Sequence, residues 1–569
     1  MMPCRKRPAF RSILLLSSTL ALAPALGRAA TAAGPAVGSS NVASIEPPSV
    51  PHPAETPCSV PLFSNASFGG SAVPFTYQPP AACPGPWAKV VLSTDISLDA
   101  GQQYDRTATI FIGGVNMLFG TTAEPRAALA PAWHVERDVT DDTALLRGSL
   151  PGTALIANYT NSTDTSTITA SSTLLFYPAT KQYPAPATPD LVVPLSSDPA
   201  GGTTSLSDGT QSLSRTGTLP RNIEKARLDV LLQSQSSDEF WYTCVPNALS
   251  TALETCGGGA FREGQVAIDG VAAGVAPVYP WIYTGGIDPY LWEPIPGVQT
   301  LAFKPYSVEL TPFAGAVDDG RPHTISLSVA GADNYFSVTG TLYLTLDHGS
   351  QTVRGAVTRN TLGAPTPVVT NTIVQNGSTA TGNVLTTSTH DYEISGYAVT
   401  SHGLVTTTVA QSSHFSNNQS FDVTPTVDDQ TIAQRTDTLS AVTTATPTGQ
   451  TVVQKAFSYP LDLRYAYIVN SDGSAAQTTA VTQSLETGRV RLIDGLPVEA
   501  SAVHEIVAPS DVINFTAAGA VSSHVGNSSA EYLFGDTATG CVTRRETSTN
   551  SVLSTASSTA ACDLQGLLP

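Results

Sequence analysis

Charged side chains are scarce in this chain. Lys, Arg, Asp and Glu make up 13% of 569 residues, with 27 basic against 45 acidic groups and a formal net charge of −18. So few cations leave no electrostatic footing for nucleic acid or for an anionic membrane surface. No Gly-x-Ser-x-Gly, Gly-x-Gly-x-x-Gly or phosphate-loop motif occurs, so nucleophilic-serine and nucleotide chemistry lose their usual markers. Neither Cys-x-x-Cys nor His-Glu-x-x-His is present and the nine His are scattered, so no metal or cofactor is expected. Beyond the N-terminus no apolar run reaches the ~18 residues that a membrane span needs. No amphipathic helix of useful length can be traced.

What is abundant is Thr, Ser, Val, Gly and Pro, the composition of extended strands and turns. The length leaves room for roughly three or four domains. The N-terminus reads as an export signal: Arg5-Lys6-Arg7 and Arg11, an apolar run from Ile13 to Leu26, then small residues at Ala29, Ala30 and Ala32. Cleavage near Ala30 would leave 22 basic against 45 acidic groups, a net −23 that suits work in acid. Of seven Cys, Cys4 leaves with the signal. The other six fall into sequence-adjacent pairs, predicting disulfides Cys58–Cys83, Cys244–Cys256 and Cys541–Cys562 in a secreted chain.

Residues 31–56 are Pro/Ser/Ala-rich and read as a disordered linker. β-Branched runs bounded by turns then predict a first β-sandwich over 57–195 and a second over 217–355, joined by a Gly/Ser/Asp-rich linker or long loop at 196–216. The two blocks repeat one pattern, a hairpin, a strand ending in a turn and a closing strand. The hairpins Gly113-Gly114 and Asp269-Gly270 set the offset. Residues 356–569, rich in Thr and Val, read as a separate antiparallel β domain.

The chemistry then rests on carboxylates beside aromatic rings. The candidates are Asp105, Glu124, Asp238, Glu239, Glu263 and Glu293. Rings stack on the apolar face of a sugar, and carboxylates bind hydroxyls or move protons. The same aromatics would equally fill a sandwich core. Asp105 with Arg106 could be a surface ion pair, and Asp238-Glu239 a solvated turn or a pair holding one proton.

These residues carry a resemblance. Ile112-Gly113-Gly114-Val115, Gly120-Thr121-Thr122-Ala123-Glu124-Pro125, Trp133 with Asp138-Val139-Thr140, Asp238-Glu239-Phe240-Trp241-Tyr242, Gly259-Ala260-Phe261-Arg262-Glu263, Ile282-Tyr283-Thr284-Gly285-Gly286-Ile287 and Leu291-Trp292 resemble the peptide N-glycanase A family. They keep its order across residues 85–350. More distantly, Tyr104-Asp105-Arg106-Thr107-Ala108-Thr109-Ile110-Phe111-Ile112 is similar to the segment holding the catalytic Asp of peptide N-glycanase F. That enzyme is two packed jelly rolls.

The resemblance implies an all-β chain of two packed jelly-roll-like sandwiches followed by a C-terminal antiparallel β domain. It implies hydrolysis of the GlcNAc–asparagine amide of an N-glycopeptide or denatured N-glycoprotein in mild acid. The glycan would leave as a glycosylamine and Asn would become Asp. Asp105 becomes the lead catalytic candidate, with Glu239 or Glu263 as its partner. Arg106 or Arg262 would steady negative charge, Trp241 and Trp292 would stack on the chitobiose core, and Asp238 and Glu124 would contact substrate. A second supporting Glu of the F enzyme has no carboxylate counterpart here; its region lies near Asn158-Tyr159. The expected species is a monomer without nucleic-acid or membrane partners. The competing expectations are a glycosidase cutting within chitobiose and a glycan-binding sandwich without catalysis.

Overall fold

The computed structural model describes residues 35–124, 128–562 and 568–569. The expected signal segment lies outside them. The regular structure of the described residues is almost wholly antiparallel strand, arranged in five sheets.

Four strands in the spatial order Cys58–Phe68, Ile168–Pro178, Trp87–Leu98 and Ala132–Asp138 form one sheet of the first sandwich. Val73–Tyr77, Leu150–Ile156, Thr107–Ile112 and Val115–Thr121 form the other. Val90, Leu92, Ile96 and Phe176 from the first sheet meet Ile110, Met117 and Ile156 from the second in one core. Numbered along the chain, the strands lie 1-8-3-6 over 2-7-4-5, the wiring of a jelly roll.

The second sandwich repeats it. Thr204–Leu206, Phe336–Leu346, Ile223–Ser234 and Tyr306–Glu309 face Leu213–Thr218, Pro322–Ala330, Glu263–Ile268 and Val271–Pro277, again 1-8-3-6 over 2-7-4-5. The matched hairpins have the chemistry their turns require. Ile112 pairs with Val115 across Gly113 (φ 57°) and Gly114 (φ 84°). Ile268 pairs with Val271 across Asp269 (φ 52°) and Gly270 (φ 77°). Left-handed backbone at both central positions matches the twist of the flanking strands and favours Gly and Asp.

The expected boundaries need correction at three places. Residues 196–216 are not a linker: they supply Thr204–Leu206 and most of Leu213–Thr218, the first two strands of the second jelly roll. Short strands at a sheet edge tolerate Gly and Ser, which hid them. Leu191–Pro194, expected in the first sandwich, pairs with Phe336–Leu346 of the second. Residues 35–56 carry no regular structure, yet they are not a disordered linker. Ala43 and Ile45 are buried in the second core, Ala43 N–H donates to Pro294 O at 2.8 Å, and Gly38 N–H to Leu553 O at 2.8 Å. Backbone hydrogen bonds that composition does not register hold the segment as a strap.

Beyond Arg354 the chain forms one twelve-stranded sheet, mostly an up-and-down meander of long strands. Thr379–Thr400 and Gly403–Thr424 each run 22 residues, roughly 70 Å at ~3.3 Å per residue. Every second residue of the latter from Val405 to Val423 is buried. Tyr392, Val409, Phe415, Tyr459 and Val507 of this sheet share one core with the second sandwich. The three disulfides pair as expected.

The long connection 278–305 mortars these units together. Thr121 N–H donates to Thr300 O and Phe303 N–H to Phe119 O, both in the first sandwich's direction. Toward the C-terminal sheet, Gln483 accepts from Val298 N–H at 2.9 Å and donates to Pro280 O at 2.7 Å. Phe303 is fully buried, with ring centroids 5.4 Å from Phe119 and 4.2 Å from Trp281. Phe303→Ala is expected to cost about 3–5 kcal/mol, because the surrounding rings belong to separate units and collapse poorly into the cavity. A fall in the chemical-denaturation midpoint checks this; a midpoint unchanged from wild type would mean that the connection is not the mortar.

Candidate active site

Asp105 is the last residue but one of the connection between the third and fourth strands of the first jelly roll, just before Thr107–Ile112. Glu239 lies in the corresponding connection of the second, after Ile223–Ser234. A polar seam brings the two together. Gln233 Nε2 donates to Thr107 Oγ1 at 3.0 Å, and Gln235 Nε2 donates to the same oxygen at 2.7 Å and to Gln233 Oε1 at 2.6 Å. Gln233 is fully buried, and a buried amide that makes its bonds across a junction fixes register there.

Burial pushes the Asp105 carboxyl up to about 6, while the Gly285 N–H donating to it and the charge of Arg106 pull it down. Burial also pushes Glu239 up to about 7, and the negative charge of Asp105 adds to the rise. Both carboxyls therefore titrate in the weakly acidic range, Asp105 first, and Glu239 keeps its proton to a higher pH than Asp105 does. Tyr283 and Tyr242, both buried, feel the charge of Glu239, and Tyr283 donates its hydroxyl to Ser234 O.

Glu124 joins them across Gly285. A Cβ built on Gly285 would overlap Glu124 Oε2 and stand 2.9 Å from Asp105 Oδ1. Only glycine fits between the two carboxylates. Thr284 anchors this stretch by donating its hydroxyl to Thr122 O at 2.8 Å, and Trp292 Nε1 donates to Gly286 O at 2.9 Å. Arg106 donates to Gln103 Oε1 at 2.6 Å and lies 5.5 Å from the Tyr104 ring centroid. Tyr104, next to Asp105 in the chain, is 50% exposed, and Tyr159, whose carbonyl accepts from Gln103 and whose ring lies against Gly70, is 63% exposed. Among the described residues no group of three or more His, Cys, Asp or Glu side chains could hold a metal ion.

Other sequence candidates lie elsewhere. Glu263, expected as a possible partner of Asp105, faces the C-terminal sheet instead: it is buried against His390 Nδ1 at 2.9 Å and Gln265 Nε2 at 2.5 Å. Trp241 and Trp292, expected to stack on sugar, are 0% and 2% exposed and belong to the second core. Asp238 and Arg262, expected to touch substrate, are sealed against each other. Arg262 donates to Asp238 Oδ1 from Nη2 at 2.6 Å and Nε at 3.0 Å, while Asp238 Oδ2 accepts the N–H groups of Asp333, Asn334 and Tyr335. Alternation cannot separate these from site residues, because they sit in irregular loops. Sequence reasoning assigned no role to Gln233, Gln235, Tyr242, Tyr283 and Gly285. Gln233-Ser234-Gln235, two amides closing a strand just before Glu239, was the available signal.

Comparison with known proteins decides the family. The model of the family described as peptide N-acetyl-beta-D-glucosaminyl asparaginase amidase A matches residues 47–362, more than half of the chain. The chain belongs to that amidase A family. A curated relative in the family, peptide-N4-(N-acetyl-beta-glucosaminyl)asparagine amidase A of Prunus dulcis, is 29% identical over 392 residues, covering 64% of this chain and 67% of its own. Solved structures of PNGase F, a glycosylasparaginase from Flavobacterium meningosepticum, align at 15% identity and a TM-score of 0.34, covering 51% of this chain and 96% of theirs. PNGF-II aligns at 13% identity and a TM-score of 0.34, covering 51% and 66%. The span matched by the amidase A family model takes in both jelly rolls and both connections that carry Asp105 and Glu239.

Asp238→Asn removes the charge that Arg262 answers and leaves a buried guanidinium uncompensated. It is expected to destabilise the chain by about 3–5 kcal/mol. Denaturant unfolding measures this, and a loss below about 1 kcal/mol, the scale of an exposed pair, would contradict the sealed geometry.

Proposed function

We propose that this chain is a secreted amidase that hydrolyses the GlcNAc–asparagine bond of N-glycopeptides. The observation that carries the reading is the pair Asp105 and Glu239, delivered from two jelly rolls to one junction and raised there into the weakly acidic range. Membership in a family of carbon–nitrogen hydrolases supports it. The three disulfides fit an oxidising compartment, and no helix of the described residues is long and apolar enough to cross a membrane.

Amide hydrolysis needs a positioned water, stabilisation of the oxyanion and a proton for the leaving nitrogen. With one proton on the pair, ionised Asp105 takes a proton from water as its oxygen bonds to the side-chain carbonyl carbon of Asn. Arg106, beside Asp105, steadies the negative charge on the carbonyl oxygen. The carbon–nitrogen bond then breaks while protonated Glu239 gives its proton to the nitrogen. The glycan departs as an amine and the peptide is left with Asp where it had carried Asn. Glu124 accepts a sugar hydroxyl, and Tyr104 and Tyr159 offer their rings to sugar faces.

Incubating a defined N-glycopeptide with the purified protein and weighing the peptide tests the reading. The expected product carries Asp in place of Asn and no sugar. Asp105→Asn should lower turnover by about 10²-fold or more, as loss of a proton-transferring group does. A peptide still bearing one GlcNAc, or wild-type turnover in Asp105→Asn, would reject it.

Stability should follow the same two groups. Both carboxyls bind protons more tightly folded than unfolded, so their contribution is full in acid, below the unfolded values, and is lost as pH rises through about 6 and then about 7. The double variant Asp105→Asn, Glu239→Gln should therefore lose less stability than wild type between about pH 5 and about pH 8. Thermal unfolding at the two pH values measures this, and parallel losses would show that the pair is not buried as described.

A further inference from the structure

The connection carrying Glu239 leaves the second jelly roll at Ser234 and returns at Glu263. It contains only short turns: 3₁₀ turns at Ser236–Asp238 and Trp241–Thr243 and a single helical turn at Asn247–Ser250. Its inner end is tied by Asp238 to the second sandwich. The stretch that follows, residues 242–244, is tied to the C-terminal sheet, and by polar groups. Asn417 Nδ2 donates to Tyr242 O at 2.8 Å, Gln430 Nε2 to Thr243 O at 3.3 Å, and Gln419 Nε2 to Cys244 O at 2.9 Å. These amides also bond one another. Gln419 donates to Asn417 Oδ1 at 2.9 Å, Gln430 to Gln419 Oε1 at 2.9 Å, and Asn417 to Gln434 Oε1 at 2.9 Å.

Asn417 and Gln419 are 0% exposed. They interrupt an otherwise largely apolar end of one strand face, with Phe415 before them and Phe421 and Val423 after. Trp241 and Phe261 already pack on Phe415, at centroid distances of 6.3 and 5.4 Å. Apolar packing of that kind holds the loop down but leaves it free to turn. Three consecutive carbonyls, each met by a directed amide N–H, fix its rotation. Buried amides cost free energy to desolvate, and one donor at the edge of the network, Gln434 Nε2, finds no partner among the described residues, so the network specifies geometry more than it adds adhesion. The held residues include Tyr242, whose buried phenol feels the charge of Glu239.

We infer that Asn417, Gln419 and Gln430 of the C-terminal sheet are positioning residues for Glu239, so that this sheet is a working part of the site rather than an accessory domain. The inference rests on the amidase reading for its kinetic consequence and on geometry alone for its structural one. None of the three touches the reacting atoms; they act through the backbone of residues 242–244.

The test is Gln419→Met in the full chain, which keeps length and burial but removes the donor. Thr407→Val serves as control, a buried polar position on the same strand face. With a glycopeptide substrate, Gln419→Met is expected to lower kcat about tenfold or more with KM within about twofold, as a displaced reacting group does. Hydrogen exchange across residues 236–245 should speed up in Gln419→Met and stay at the wild-type rate in Thr407→Val. If Gln419→Met fails to fold, Gln430→Met at the rim of the network replaces it, with the same two readouts. Unaltered kcat and unaltered exchange, or equal losses of kcat in the control, would overturn the inference. Wild-type protein that releases no glycan would sink the amidase reading instead, and the exchange rates would still decide whether the amides hold the loop.

Discussion

The arrangement depends on a carboxylate that never meets water. Asp238 accepts two hydrogen bonds from Arg262 and three from backbone N–H groups of the 333–335 turn. Five donors on one buried anion pin a loop, a strand start and a turn to a single geometry. The next residue is Glu239, so the angle at which it faces Asp105 is set there. Such a group is expensive to bury and strongly destabilising to break. It makes sense only where position matters more than stability.

A second constraint is spatial. The 278–305 connection slips a glycine between Asp105 and Glu124, and its N–H partly compensates Asp105 for the water it has lost. The same connection bonds to the first sandwich through Thr284 and to the C-terminal sheet through Gln483. A small set of hydrogen bonds therefore determines both how three structural units meet and how far apart the carboxylates lie.

Much of the fold was legible because strands announce themselves by alternation and β-branching, and the paired hairpins by Gly-Gly and Asp-Gly. The edge strands at 204–206 and 213–218 were not, since short edge segments of Gly, Ser and Thr carry no periodic signal. The strap at 35–56 was missed for a related reason: it is held through backbone groups, to which composition is blind. At the site, Asp105 and Glu239 stood out beside aromatics, but proximity in sequence could not tell a carboxylate at the junction from a buttress. Asp238 and Glu239 are neighbours with opposite fates, one sealed and one facing the junction. The tryptophans misled because a large ring fills a core as readily as it meets a sugar, whereas the exposed rings on the Asp105 side are Tyr104 and Tyr159.

The two jelly rolls share one strand order, and Asp105 and Glu239 come from the same connection in each, between strands three and four. In the first that connection spans residues 99–106; in the second it spans 235–262. A doubled roll with equal loops would offer two like half-sites. Unequal loops break that likeness, giving one half a short arm beside Arg106 and the other a long arm that meets the C-terminal sheet. The corresponding arginine of the second roll, Arg262, has been withdrawn from the junction into the frame. The repeated strand order thus offers two equivalent connections, and their unequal lengths make the two arms that meet at the junction unlike.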